Sequence, residues 1–197
     1  VNLLISSDMS IEGVHFLEEK FPSPAIGWKA MMSAWSDIAS MGGIPRWALV
    51  SWGLPSHTAV GKALSIYRGM VEATDFVGGK TLGGDTVSCE KIIVDVMVVG
   101  ECINGRYITR RGAKLGDVVA ITGVLGKSLA GLIALQRDLP EPSFWREHWY
   151  PFPKIKEGRW FCEKGYANSM IDISDGLLSD AKHLADSSNV GINIERD

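Results

Sequence analysis

The stretch Ser6-Ser7-Asp8-Met9-Ser10-Ile11-Glu12-Gly13-Val14-His15-Phe16 follows an apolar run, Val1 to Ile5, broken only by Asn2. The run reads as a buried strand that stops at two small hydroxyl residues and a carboxylate. Small residues let a phosphate or hydrated cation approach the backbone, and an aspartate supplies a hard oxygen ligand. The same ending recurs. Ser36-Asp37 comes late in an apolar helical pattern, Gly84-Asp85 follows Lys80-Thr81-Leu82, and Ser174-Asp175 follows Met170 to Ile173. Four such pairs predict carboxylates that converge on shared cations, with Asp8, Asp37 and Asp85 close together.

Outward from this motif the chain alternates strand-like and helical patterns. Strands are expected at Val1–Ile5, Trp47–Leu54, Thr81–Leu82 and Lys91–Val99. Ala25–Met41 has apolar residues at helical spacing, and His57–Phe76 does the same through Val60, Leu64, Tyr67 and Val71. Asp37 near the end of a helix opposes the helix dipole, so a donor or cation is expected beside it. Gly83-Gly84-Asp85 reads as a turn whose free amides could meet phosphate oxygens. Asp95 inside its apolar strand reads as outward-facing or paired.

Gly100 to Gly116 is a polar, basic junction, and the chain divides there into residues 1–112 and 113–197. Arg110 and Arg111 lie in it, arginine being the fork-shaped donor suited to phosphate. Beyond it, strands are expected at Val118–Thr122, Ser169–Ile173 and Val190–Ile194, and helices to Leu135, over Lys156–Ala167 and over Leu177–Asp186. Gly123 to Ser128 imitates a phosphate loop but is two residues short of GxxxxGK[ST], so it is rejected. Strand alternation would place Asp172 and Ser174 on one face, with Asp175 at the corner and the next helix start as a phosphate seat. The segment from Arg137 to Phe152 has no evident purpose. Val1 inside one strand and Asp197 just after another suggest a piece of a longer protein.

With 197 residues and a net charge of −3, the chain can bury real cores and lacks the basic excess of a nucleic-acid binder. Three dispersed cysteines without a CxxC suit reduced thiols in a cytoplasm. Nothing in the sequence matches a signal peptide or a membrane span.

The chain resembles the thiamine-monophosphate kinase family. The likeness lies in Ser7-Asp8 with Glu12 to Phe16, Ser36-Asp37-Ile38-Ala39 with Met41-Gly42, and Gly83-Gly84-Asp85-Thr86. It continues in Thr109-Arg110 with Gly112-Ala113-Lys114, Gly116-Asp117, Gly131-Leu132 and Asp172-Ile173-Ser174-Asp175-Gly176-Leu177. The resemblance implies an α/β (α+β) fold of the aminoimidazole ribonucleotide synthetase type, with mixed sheets and helices in two domains. It also implies a homodimer paired through its N-terminal sheets.

What the resemblance implies for the site is phosphoryl transfer from ATP to thiamine monophosphate with Mg²⁺, in the cytoplasm and without nucleic acid or membrane. Ser6, Ser7, Asp8, Asp37, Asp85 and Asp172 would hold Mg²⁺, and Asp175 a further ion. Gly84, Asp85, Arg110 and Ser174 would meet ATP, with Asp85 and Arg110 carrying catalysis. His15 would meet the thiamine phosphate. Family segments before the first motif and after the last fall outside this chain, so the isolated piece is expected to lack turnover and to self-associate through an unpaired sheet edge of its second half. A sister of the superfamily, such as a selenophosphate synthetase, or a non-catalytic ATP-binding fragment are the other readings.

Overall fold

In the computed structural model, which describes residues 2–140 and 142–194, four strands form one mixed sheet. They are β1 (Leu3–Ile11), β2 (Ile44–Leu54), β3 (Lys80–Ser88) and β4 (Ile93–Glu101), in the order β1-β4-β2-β3. β4 runs antiparallel to both β1 and β2, while β3 lies parallel to β2. Helices α1 (Ser23–Ser40) and α2 (Val60–Phe76) cover one face. Alternation along β4 sends Val94, Val96 and Val98 into this core with Leu4, Ala48 and Val50.

α1 is buried almost all round, from Ala25 to Ala39. It lies between the sheet, α2 and two later helices, which explains why its apolar residues do not stop at one stripe. Its crossing with α2 is close: a Cβ on Gly69 would lie 1.9 Å from the Pro24 carbonyl oxygen, so any larger residue would separate the two helices.

Beyond the sheet come α3 (Lys127–Gln136), α4 (Pro142–Trp149), α5 (Ile155–Lys164) and α6 (Leu177–Ser188). The segment with no evident purpose in sequence has one here: α4 and the residues after it fasten the second half to α1. Trp28 donates its indole N–H to the Pro151 carbonyl at 2.9 Å, and its ring meets Tyr150 at 5.9 Å and Phe152 at 5.4 Å. Edge-on aromatic pairs of this kind each add about 1 kcal/mol beyond their buried area.

Two sequence expectations are corrected. Val118–Thr122, Ser169–Ile173 and Val190–Ile194 pair with no strand among the described residues, although their composition favours one. β propensity expresses fit to a paired surface, and without a neighbouring ladder these segments form no strand, Met170 making a backbone bond to the Thr109 carbonyl at 3.1 Å. The second half therefore presents no sheet, and the expectation of an exposed edge there is withdrawn. Gly83-Gly84-Asp85 is not a turn either but the middle of β3. Gly84, at φ +154°, takes a backbone region open to glycine, and a Cβ there would strike the Val50 carbonyl oxygen at 1.6 Å. Its glycine serves the strand contact.

Candidate active site

Ser6, Asp8 and Ser10 alternate with Leu4 toward the helical face of the sheet, and Ser7 and Met9 toward the open face. Asp37, in the last turns of α1, comes down onto the middle of β1 at Ser6, and β1 does not stop at Ser6-Ser7-Asp8 as the sequence suggested but runs through them to Ile11. The Ser6 hydroxyl donates to the Asp37 carboxylate at 2.5 Å, supplying the donor that a carboxylate at a helix C-terminus requires. Asp8 lies close enough that burial, followed by the negative charge of Asp37, pushes its carboxyl above the ordinary range. Asp172 reaches the same place from the second half. Burial raises its carboxyl first, a hydrogen bond from Ser36 opposes the shift, and the charges of Asp37 and Asp180 raise it further.

Asp8 and Asp172 thus both feel the charge of Asp37, from β1 on one side and the 172–176 corner on the other, although the three do not bring their oxygens within 4.8 Å of one another as Asp175, Asp180 and His183 do. Among the described residues, no lysine or arginine forms an ion pair with any of them. Crowded, partly desolvated acids without a basic partner are a donor set for a hard divalent cation.

Asp85 stands elsewhere. Ala48 pairs with Thr81 and Leu49 with Gly83, which leaves Leu82 as a bulge and moves every later residue of β3 to the other face. Thr86 accepts the Trp52 indole N–H at 2.6 Å on the helical side, so Asp85 points to the open side in one row with Ser51, Asp95 and Met9. Three strand spacings, about 14 Å, also separate its backbone from that of Asp8. The expectation that Asp8, Asp37 and Asp85 cluster within one chain is corrected: Asp8 and Asp37 do, and the bulge removes Asp85. Ser7 faces the open side too, donating to Asp95 at 3.2 Å, which accounts for the carboxylate inside β4.

The 172–176 corner also differs from expectation. The amides of Ser174, Asp175 and Gly176 donate to one oxygen of Asp180, at 3.0, 3.2 and 3.1 Å. A buried carboxylate of the chain itself occupies the seat expected for phosphate, and the fourfold spacing from Gly176 into the helix was the signal for it. Asp175, Asp180 and His183 each bring a ligand atom within 4.8 Å of one another. Arg110 is exposed, and its carbonyl accepts the Ser188 hydroxyl at 3.1 Å.

His15 sits on the exposed loop after β1. Its Nδ1 accepts the Ile11 N–H at 3.0 Å, which leaves Nε2 as the protonated nitrogen of the neutral ring and a donor available to an anion. Glu12 clamps the loop by accepting the Ile92 N–H at 2.8 Å.

Residues 1–102 match the family described as AIR synthase related protein, N-terminal domain. The chain belongs to that family. This AIR synthase related chain is similar to the thiamine-monophosphate kinase of Aquifex aeolicus, with 40% identity over 98% of this chain and 63% of that protein. The enzyme of the same name from Bacillus subtilis is 37% identical over 98% of this chain and 62% of that protein. Among solved structures, AaThiL complexed with AMPPCP and TMP superposes with a TM-score of 0.89 at 38% identity, covering 95% of this chain and 60% of that one. The chain therefore spans about three-fifths of the length of these relatives, and its α+β fold is that of the AIR synthase related proteins.

Proposed function

We propose that the protein carrying this chain transfers the γ-phosphoryl group of ATP to the phosphate of thiamine monophosphate, giving thiamine diphosphate. The observation that carries the reading is the approach of Asp8 and Asp172 to Asp37, drawn from both halves of the chain and lacking a basic partner. The similarity to thiamine-monophosphate kinases, and to a structure holding AMPPCP and TMP, supports the choice of substrates.

The physical obstacle is charge. Two unit charges about 4 Å apart at an effective dielectric near 20 repel by about 4 kcal/mol, roughly three powers of ten in rate. The attacking phosphate oxygen is already a competent nucleophile, so the reaction asks for neutralisation and alignment rather than a base. Mg²⁺, held by Asp8, Asp37 and Asp172 with Ser6 beside them, would supply the positive charge between the two phosphates. Ser6 donates to the Asp37 carboxylate and aims it, and the Ser36 hydrogen bond opposes the upward shift of Asp172. His15 offers Nε2–H to the acceptor phosphate, and Arg110, exposed at the junction, is free to swing toward the nucleotide with Ser174. Asp175, with Asp180 and His183 beside it, serves a further cation.

Gly84 and Asp85 remain assigned to nucleotide and Mg²⁺, through a homodimer. The open sheet face carries Leu3, Ile5, Met9, Trp47, Leu49 and Leu82, all exposed, an apolar surface suited to a second copy. Pairing through it would bring Asp85 and Ser7 into an interface rather than leave them in water. Residues 1–112 are read as the domain that pairs, and 113–197 as part of the second. No helix among the described residues is long and apolar enough to cross a membrane; the cytoplasmic placement rests on the three dispersed cysteines without a CxxC.

The test is ADP release by the full-length protein that carries this chain, in Mg-ATP, started by adding thiamine monophosphate. One ADP per thiamine diphosphate is expected. ADP release indifferent to thiamine monophosphate would overturn the reading.

A further inference from the structure

Behind the His15 loop lies a polar cluster that none of the roles above uses. Lys29, on α1, sends its ammonium to the His15 carbonyl oxygen at 3.3 Å and to His148 Nε2 at 3.1 Å. His148, on α4, is buried, and its Nδ1 lies 2.9 Å from the Ser128 hydroxyl on α3. An ammonium can only donate, so Nε2 is the acceptor and Nδ1–H donates to Ser128. The fourth side is aromatic: the Lys29 nitrogen lies 5.3 Å from the Phe21 ring centre, and Phe21 meets His148 edge-on at 5.6 Å and Phe16 of the loop at 6.0 Å.

Among the described residues no carboxylate pairs with Lys29. Burial accordingly lowers the lysine to about 8 and the histidine, with the lysine's charge beside it, to about 4. A half-buried cation held only by a carbonyl, an imidazole and a ring is costly relative to a methionine of the same length. Packing alone does not account for it. What the charge gains is a directed hold on one backbone carbonyl, that of the residue whose ring faces the acceptor site.

We propose that Lys29 is a positioning residue for the substrate loop, its ammonium fixed by His148 and Ser128 so that it holds the His15 carbonyl and sets the ring that meets the thiamine phosphate. The chain of contacts runs from α3 through α4 and α1 to the loop, so the second half of the protein helps set substrate geometry in the first. The kinetic half of this inference rests on His15 being the substrate contact.

The experiment uses the full-length protein that carries this chain and four variants: Lys29→Met, Lys29→Arg, His15→Ala and the double Lys29→Met/His15→Ala. Amide exchange of Val14 and His15 is expected to quicken at least tenfold in Lys29→Met while α2 amides keep the wild-type rate, and Lys29→Arg should return the loop to within about threefold of it. KM for thiamine monophosphate should rise about tenfold in Lys29→Met with KM for ATP within twofold, and the double variant should be no worse than His15→Ala. Unchanged loop exchange in Lys29→Met, or equal quickening along α2, would overturn the proposal. So would additive losses in the double variant. If His15→Ala leaves both KM values alone, the substrate role of His15 falls, and loop exchange still judges the positioning by Lys29.

Discussion

The Ser6 hydroxyl donates to the Asp37 carboxylate at 2.5 Å, joining the middle of the first strand to the last turns of the first helix across 31 residues of chain. Asp37 thereby gains a donor at the end of a helix dipole that disfavours a carboxylate. Ser6→Ala should destabilise the fold by about 1–2 kcal/mol, the worth of a hydrogen bond to a charged group. Urea unfolding of the two proteins measures it.

Asp8 and Asp172 both have carboxyls raised by burial and by the charge of Asp37. A raised folded pKa means that the folded state binds protons more readily than the unfolded chain, so stability increases as pH falls toward 4. At neutral pH the same repulsion is relieved by a divalent cation. Mg²⁺ should therefore raise Tm by several degrees at pH 7.5 and by progressively less as pH falls toward 4.5. Asp172→Asn should raise the metal-free Tm and shrink the Mg²⁺ response. Scanning calorimetry with and without Mg²⁺ tests both.

His148 has the opposite sign. Its folded pKa, about 4, lies below the ordinary 6.5, so the unfolded chain takes up the proton first. Its contribution is fully present above pH 6.5 and declines as pH falls from 6.5 to 4, by at most about 1.4 kcal/mol per pH unit before solvent screening. His148→Gln should flatten that part of the stability–pH curve, read by urea unfolding at half-unit steps.

Much of this was legible in sequence because it is local. Both helices of the first half and the strands β2 and β4 follow from periodicity, but β1 does not stop at Ser6-Ser7-Asp8 as expected and runs through them to Ile11, and β3 runs on through Gly83-Gly84-Asp85 to Ser88. The recurring pattern pointed to Asp8 and Asp37 but joined Asp85 to them, and Asp172, outside that pattern, was singled out by the family resemblance. The face of Asp85 was not legible, since one bulged residue, Leu82, reverses it and alternation alone gives the other answer. The Asp180 cradle was foreshadowed by an acid in the first turn of α6, but its amides were read as free. Lys29, His148 and Ser128 come from three helices far apart in sequence, and only tertiary packing makes them one cluster.

The open sheet face predicts the oligomeric state. Ile5 is 63% exposed and Leu49 is 39% exposed on a face where apolar side chains flank the polar row of Ser51, Asp85 and Asp95. Ile5→Glu and Leu49→Glu should each convert a dimer to a monomer in sedimentation velocity at micromolar concentration, with Tm of the monomer lowered only slightly. A wild-type chain that sediments as a monomer would remove the dimer and with it the role assigned to Asp85.

The central claim is that Asp37 works by holding the cation through which two phosphates are brought together. Its most direct measurement is thiamine diphosphate formation by the full-length protein that carries this chain against its Asp37→Asn variant, over a range of Mg²⁺ concentrations, with Tm recorded alongside. The account predicts a fall in kcat/KM of at least a hundredfold, partly recovered at high Mg²⁺, with Tm unchanged or raised. Turnover within threefold of wild type at every Mg²⁺ concentration would contradict it.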